Sequence, residues 1–204
     1  MQYEDRGAEV AAVNFAMAKR SYRGNPHCGD EYACWEEAGK TTLCIIDGLG
    51  HGEHAEAAAK AALHYVGEHL SESLDQIFSG CDDEILHTRG VAMGIAVIDQ
   101  QQATLIYGGI GNTVARIMGG DAMRFTSDPG IVGGGYKRFS PQPARLSLGQ
   151  LVVMYTDGIA DKLDISGYGA DIQDDLSKLA AAIIADCGQD TDDCAVMIYR
   201  YGGP

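Results

Sequence analysis

Two apolar runs in this chain end in the same way. TTLCII leads into Asp47-Gly48, and QLVVMYT leads into Asp157-Gly158. A third acidic pair, Asp192-Asp193, directly precedes the apolar run CAVMIYRY. A carboxylate at a strand terminus is aimed by a rigid sheet, and the glycine after each of the first two leaves the neighbouring carbonyl open to a ligand. If these acids converge they repel one another unless a cation is present. An all-oxygen donor set selects magnesium, manganese or calcium over zinc or copper. A pair of such metals bridged by water lowers the pKa of that water and stabilises charge on a phosphoryl group. The chemistry indicated is phosphate-ester hydrolysis.

An Asp-Gly dipeptide after a strand is also an ordinary turn. The segment DGLGHG, residues 47–52, is less ordinary, because it sets three glycines and His51 between a buried strand and an alanine-rich stretch. The same segment admits another reading. Gly50-His51-Gly52-Glu53-His54-Ala55 follows the G-x-G-x-x-A pattern of dinucleotide-binding turns, in which backbone amides hold a pyrophosphate at a helix N-terminus. That fold wants a second strand ending in an acid soon after the helix, whereas here a further helical stretch and then hairpins follow.

The elements that must position these residues can be read from periodicity. Residues 9–19 and DEYACWEE (30–37) read as strands, and a turn at Ala38-Gly39-Lys40 makes the second of them a hairpin with TTLCII. From His54, Ala55, Ala58, Ala59, Ala62, Leu63, Val66 and Leu70 fall on one face of a helix of about four turns. A weaker helical stretch over residues 72–87 is expected to break near Gly80. VAMGIAVID, ATLIYGGI, NTVARIM and AMRF follow at hairpin spacing and read as an antiparallel meander. After a glycine-rich loop around Gly130 and Gly133-Gly134-Gly135, LVVMYT reads as a buried strand, Ile172 to Ile184 as a last helix and CAVMIYRY as a closing strand. Neighbouring strands that pair, with helices grouped in blocks, indicate α+β layers in one domain over residues 1–204.

Composition narrows the partners. The 204 residues are 46% hydrophobic and 22% charged, as in folded globular chains, and carry a formal net charge of -14. That field repels polyanions, which argues against nucleic acid as a partner. The six cysteines lack C-x-x-C pairs and zinc-site spacing, and read as ordinary thiols. No stretch reaches the length of a membrane span, so a cytoplasmic protein without membrane contact is expected. Oligomeric state leaves no mark in the sequence.

The ordered set CGDEY, DGLGHG, YTDGIAD and TDDCAVMIY resembles the PPM-type metal-dependent protein serine/threonine phosphatases, in their bacterial stage II sporulation and stress-response branch. The resemblance runs from about Glu9 to Tyr201. It implies two antiparallel β-sheets packed as a sandwich and flanked by helices, with two manganese or magnesium ions in a cleft at one end. By the same resemblance Asp47 bridges both metals, the Gly48 carbonyl joins one, Asp157 with Asp192 or Asp193 holds the other, and Asp30 occupies the acidic position on the early strand. A metal-activated water attacks phosphorus without a phosphoenzyme, which leaves Asp47 and Asp157 as the central catalytic acids. His51 is the candidate to protonate the leaving oxygen. It lies four residues after Asp47, where animal members carry their histidine two after, at the position of Leu49, and the alternative is that it caps the following helix or holds the loop. Arg20 and Arg23, ahead of Asp30, are candidates to grip phosphate. The implied substrate is phosphoserine or phosphothreonine on a STAS-type component of a bacterial stressosome. A catalytically silent phosphoprotein-binding module of the same fold is the alternative.

Overall fold

Strand runs that are apolar at every position, rather than at alternate ones, need a layer of protein on both faces. That requirement sets the architecture in the computed structural model, which describes residues 14–160 and 163–203. One antiparallel sheet is ordered β1-β12-β11-β6-β7, built from β1 (Phe15–Arg20), β12 (Cys194–Arg200), β11 (Leu151–Tyr155), β6 (Val114–Met118) and β7 (Met123–Thr126). The other is ordered β10-β5-β4-β3-β2, from β10 (Gln142–Arg145), β5 (Thr104–Ile110), β4 (Val91–Asp99), β3 (Lys40–Gly48) and β2 (Asp30–Glu37). β8 (Gly130–Ile131) and β9 (Gly135–Tyr136) form a small separate hairpin.

Alternate residues of each buried strand serve different layers. On β3, Leu43 and Ile45 face the core between the sheets, where they meet Met154 of β11 and Met197 of β12. Cys44 and Ile46 face helices α1 (Glu53–Glu68) and α2 (Leu74–Glu84), against Ala58, Ala62 and Phe78. On β12, Cys194, Val196 and Ile198 turn to helix α4 (Leu176–Cys187), against Leu179, Ala180 and Ile183. A one-turn helix α3 (Ala170–Gln173) precedes α4. The result is helices, sheet, sheet, helices: the expected α+β sandwich.

Four details depart from the sequence reading. The last helix, expected from Ile172 to Ile184, is split into α3 and α4, because the Asp175 side chain accepts the Ser177 and Lys178 amides and starts α4 afresh. The meander is split, because β5 and β6 lie in different sheets and the chain crosses between them at Gly111-Asn112. α2 runs through Gly80 unbroken; the Tyr65 hydroxyl of α1 occupies the space a side chain there would need, so that glycine permits helix contact rather than ending a helix. The strand expected from residue 9 is β1, from Phe15; residues 9–13 lie outside the described residues.

Candidate metal centre

The acids singled out in the sequence come from both sheets, at the same end of the sandwich. Asp30 opens β2 and Asp47 is the last residue but one of β3, and the two are cross-strand partners. Asp157 follows β11 by two residues, while Asp192 and Asp193 immediately precede β12, the antiparallel neighbour of β11.

Each Asp-Gly glycine is required by a close approach. At Gly48 a β-carbon would collide with the main-chain carbonyl of Ala55, and the Gly48 amide donates to the Gly29 carbonyl at 3.0 Å. The buried face of α1 is Ala55, Ala58, Ala59, Ala62 and Val66, and those small side chains let the helix come down onto the DGLGHG loop. At Gly158 a β-carbon would collide with the Asp193 carbonyl, so this glycine lets the loop carrying Asp157 pass directly over the strand start carrying Asp192 and Asp193.

The carboxylates differ in how they are held. Asp30 is buried, and its Oδ2 accepts a 2.6 Å bond from Thr156 Oγ1, which itself accepts the Ala195 amide at 2.9 Å. Asp193 is also buried, and both its oxygens are engaged by backbone amides: Tyr22 N at 2.7 Å and Gly29 N at 2.8 Å. Asp192 is half-buried and accepts the Asp193 amide at 2.9 Å through one oxygen. Asp47 is half-buried and Asp157 exposed, and the Asn112 side-chain amide donates to both, at 3.2 Å and 2.7 Å. Neither of these two has a cationic partner among the described residues.

Crowding of like charges shows in the acidities. Burial, then the charge of Asp157, pushes the Asp47 carboxyl up to about 7; the Asn112 bond opposes this, and Asp192 and Asp193 add to it. Asp30 is pushed well above the usual carboxylate range by burial first and then by Asp47, with the Thr156 bond opposing. Asp192 is raised by burial and by Asp157 and Asp193, against the Asp193 amide bond and the nearby His51. In each case the charged form lacks compensation.

These residues fit a hard divalent cation. The donors are oxygens, and an amide NH₂ stands between Asp47 and Asp157 where positive charge is called for. Among the described residues no three His, Cys, Asp or Glu side chains close into a finished cage. Magnesium and manganese complete their shells with water, so a cleft lined by acids suits them.

The other candidates scatter around this cleft. His51 is exposed, its ring 5.1 Å from that of Tyr22. It does not cap α1, whose N-cap is Gly52 at φ 82° with no side-chain cap bond. Arg20 is tied to Asp190 and to the carbonyls of Gln189 and Ile184. Arg23 is exposed and lies over the Tyr22 ring. The loop of Gly130 to Gly135 is pinned, with Val132 paired to Val91 and the Gly133 amide donating to Asp82 of α2 at 2.6 Å. The dinucleotide reading lacks its topology, since the strands flanking α1 and α2 are antiparallel neighbours rather than the parallel pair of that fold. A groove of about 530 Å³ lined by Trp35, Leu70, Val97 and Ile106 lies at the opposite end of β2 and β3 and gathers none of these acids.

Two residues near the acids were not anticipated. Asn112 reads in the sequence as the first residue of the strand NTVARIM, whereas it lies in the crossing between the sheets, ahead of β6. Arg89 lies two residues before Val91, the register partner of Gly48, and its Nη1 is 3.1 Å from where a β-carbon on Gly50 would stand. It is exposed and carries no ion pair among the described residues. Both follow from the pairing of β3 with β4 and the crossing after β5, which no local signal announces.

Two such sheets packed between helices, with acids at one shared end, define the class of PP2C-type, or PPM-type, phosphatase domains. The sequence model of stage II sporulation protein E (SpoIIE) matches residues 37–202, and the chain belongs to that family. It is 23% identical over 138 residues to the phosphoserine phosphatase RsbX of Bacillus subtilis (strain 168), covering 67% of this chain and 69% of that one. A structure of RsbX in complex with magnesium superimposes with a TM-score of 0.76 at 19% identity, over 91% of this chain and 94% of that one. A structure from work on the bacterial stressosome as a modular system adapted to control secondary messenger signalling gives 0.84 at 24% identity, over 92% and 98%. The family and the sandwich expected from the motifs are thereby established.

Proposed function

We propose that this chain, as one domain, hydrolyses phosphoserine or phosphothreonine on a partner protein, using two manganese or magnesium ions held by Asp47, the Gly48 carbonyl, Asp157 and Asp192. The observation that carries this is that a single nitrogen, Asn112 Nδ2, is within hydrogen-bond reach of carboxylates from both sheets. Bound there, such ions supply an acidified water and screen charge on the phosphoryl group. Asp192 is favoured over Asp193 as ligand, since the oxygens of Asp193 are already committed to backbone amides. In this reading Asp193 builds the site by fixing the Tyr22 and Gly29 backbone, and Asp30 is held by Thr156 behind Asp47 as a more remote acid.

His51, exposed beside Tyr22, is the group this reading assigns to protonate the leaving oxygen. Arg89 is the better phosphate grip than Arg20, whose guanidinium is already occupied. Membership of the SpoIIE family and similarity to RsbX and to a stressosome structure favour a phosphorylated STAS-type regulator of a stress-signalling complex as substrate, which sets the reaction in the cytoplasm. No helix among the described residues is long and apolar enough to cross a membrane.

The test is release of phosphate from a phosphorylated STAS domain and from p-nitrophenyl phosphate, with manganese, with magnesium and with chelator. Activity is expected only with metal, and Asp47→Asn is expected to reduce it at least about a hundredfold, some 2.7 kcal/mol of transition-state stabilisation. Full metal-dependent activity in Asp47→Asn would end the bridging assignment. Metal and phosphoprotein binding without phosphate release would mark a binding module instead.

A further inference from the structure

The crossing between the two sheets is built to hold one side chain. Gly111 adopts φ +95° and its α-carbon packs on Ala92, the register partner of Asp47, so closely that a β-carbon would come within 2.5 Å of the Ala92 β-carbon. Its amide donates to the Asp128 carbonyl at 2.9 Å. On the other side Thr113 is buried in a hydroxyl network with Tyr107 and Ser127. Asn112, between these anchors, is exposed. Its amide could face water at no cost, yet it donates to Asp47 Oδ2 at 3.2 Å and to Asp157 Oδ2 at 2.7 Å.

A carboxamide NH₂ has two hydrogens and no formal charge, so this one nitrogen can serve an acid from each sheet at once. We propose that Asn112 is a positioning residue that clamps Asp47 to Asp157 while no cation lies between them, and that it surrenders both hydrogen bonds when a divalent cation enters. This rests on the metal-binding reading above. An amide hydrogen and a metal ion compete for the same oxygen lone pairs, so the clamp offsets part of the repulsion between the metal-free acids and in return weakens metal binding. Asn112 thereby sets the affinity at which the site fills.

Calorimetric titration with magnesium and manganese chlorides, together with thermal unfolding at pH 8 with and without metal, tests this on the whole chain. Asn112→Ala is expected to unfold at lower temperature than the wild type without metal, to bind metal about tenfold more tightly, and to converge with the wild type at metal saturation. Asn112→Asp cannot donate and adds a charge, so without metal it is expected to be less stable than Asn112→Ala, and its metal affinity higher still. Weaker metal binding by Asn112→Ala would make Asn112 a ligand or a scaffold and overturn the clamp, as would unchanged metal-free stability. A wild type that binds metal while Asn112→Ala binds it identically removes the clamp alone. A wild type that binds neither ion overturns the metal reading as well.

Discussion

Asp192 and Asp193 are adjacent in the chain and are held in opposite ways. Successive side chains at the start of a strand point to opposite faces. Asp193 therefore turns inward to accept the Tyr22 and Gly29 amides, while Asp192 is left beside Asp157 and His51. Asp193→Ala is expected to leave two amides without an acceptor, costing about 3 kcal/mol and lowering the unfolding temperature by roughly 6–12 °C. Asp192→Asn is expected to leave metal-free stability unchanged or slightly raised, since its carboxyl is held above the ordinary range, and to weaken metal binding in calorimetry. The reverse pattern would exchange their roles. For phosphate recognition, Arg89→Ala is expected to raise KM for the phosphoprotein about tenfold, ~1.4 kcal/mol, with kcat nearly unchanged. A larger KM effect from Arg20→Ala would return the phosphate grip to that residue.

At the scale of elements, the glycines of the two Asp-Gly pairs do more than turn the chain. The backbone of Ala55 at the start of α1 occupies the space beside Gly48, and backbone gives way less readily than the end of a side chain. Gly48→Ala is expected to cost about 2–3 kcal/mol in denaturant unfolding and to lower metal affinity, because α1 must lift away from the loop that carries Asp47. Unchanged stability would mean the helix is not seated as described. The strands and helices are largely legible in the sequence because their apolar residues repeat every two or 3.6 positions. Less legible are contacts set by tertiary packing. Gly80 looks like a breaker because nothing local reveals the Tyr65 ring above it. The start of α2 carries a sharper signal than its apolar pattern, the reciprocal Ser73 and Gln76 cap. β10 escapes a reading by pattern because it is four residues long, contains Pro143 and lies at a sheet edge, where proline is tolerated. The same blindness hides Arg89 and Asn112. The acids can be found from strand ends alone, whereas these two reach the cleft only through a long-range pairing and a change of sheet.

For the whole molecule, the consequence of gathering acids at the junction of two sheets is a fold whose stability answers to pH and metal together. The Asp47 carboxyl is raised from the ordinary 3.8 to about 7, and Asp30 and Asp192 move in the same direction. A carboxyl whose folded pKa exceeds its unfolded one contributes stability that is fully present below about pH 4 and is lost as pH rises through about 7. For Asp47 alone that loss is on the order of 4 kcal/mol at most, since each tenfold weakening of an acid corresponds to about 1.4 kcal/mol. Metal-free protein is therefore expected to unfold at progressively lower temperature between about pH 5 and pH 8. A divalent ion needs the ionised acids, so its stabilising effect is expected to grow over the same range, larger at pH 8 than at pH 5.5. Unfolding scans at several pH values, with manganese and with chelator, measure both slopes. Asp47→Asn separates this cause from general acidity: without metal it should flatten the pH dependence and raise stability at pH 8, because the uncompensated charge is gone while the side chain keeps its size. A slope that persists undiminished in Asp47→Asn would place the pH-sensitive group elsewhere in the molecule.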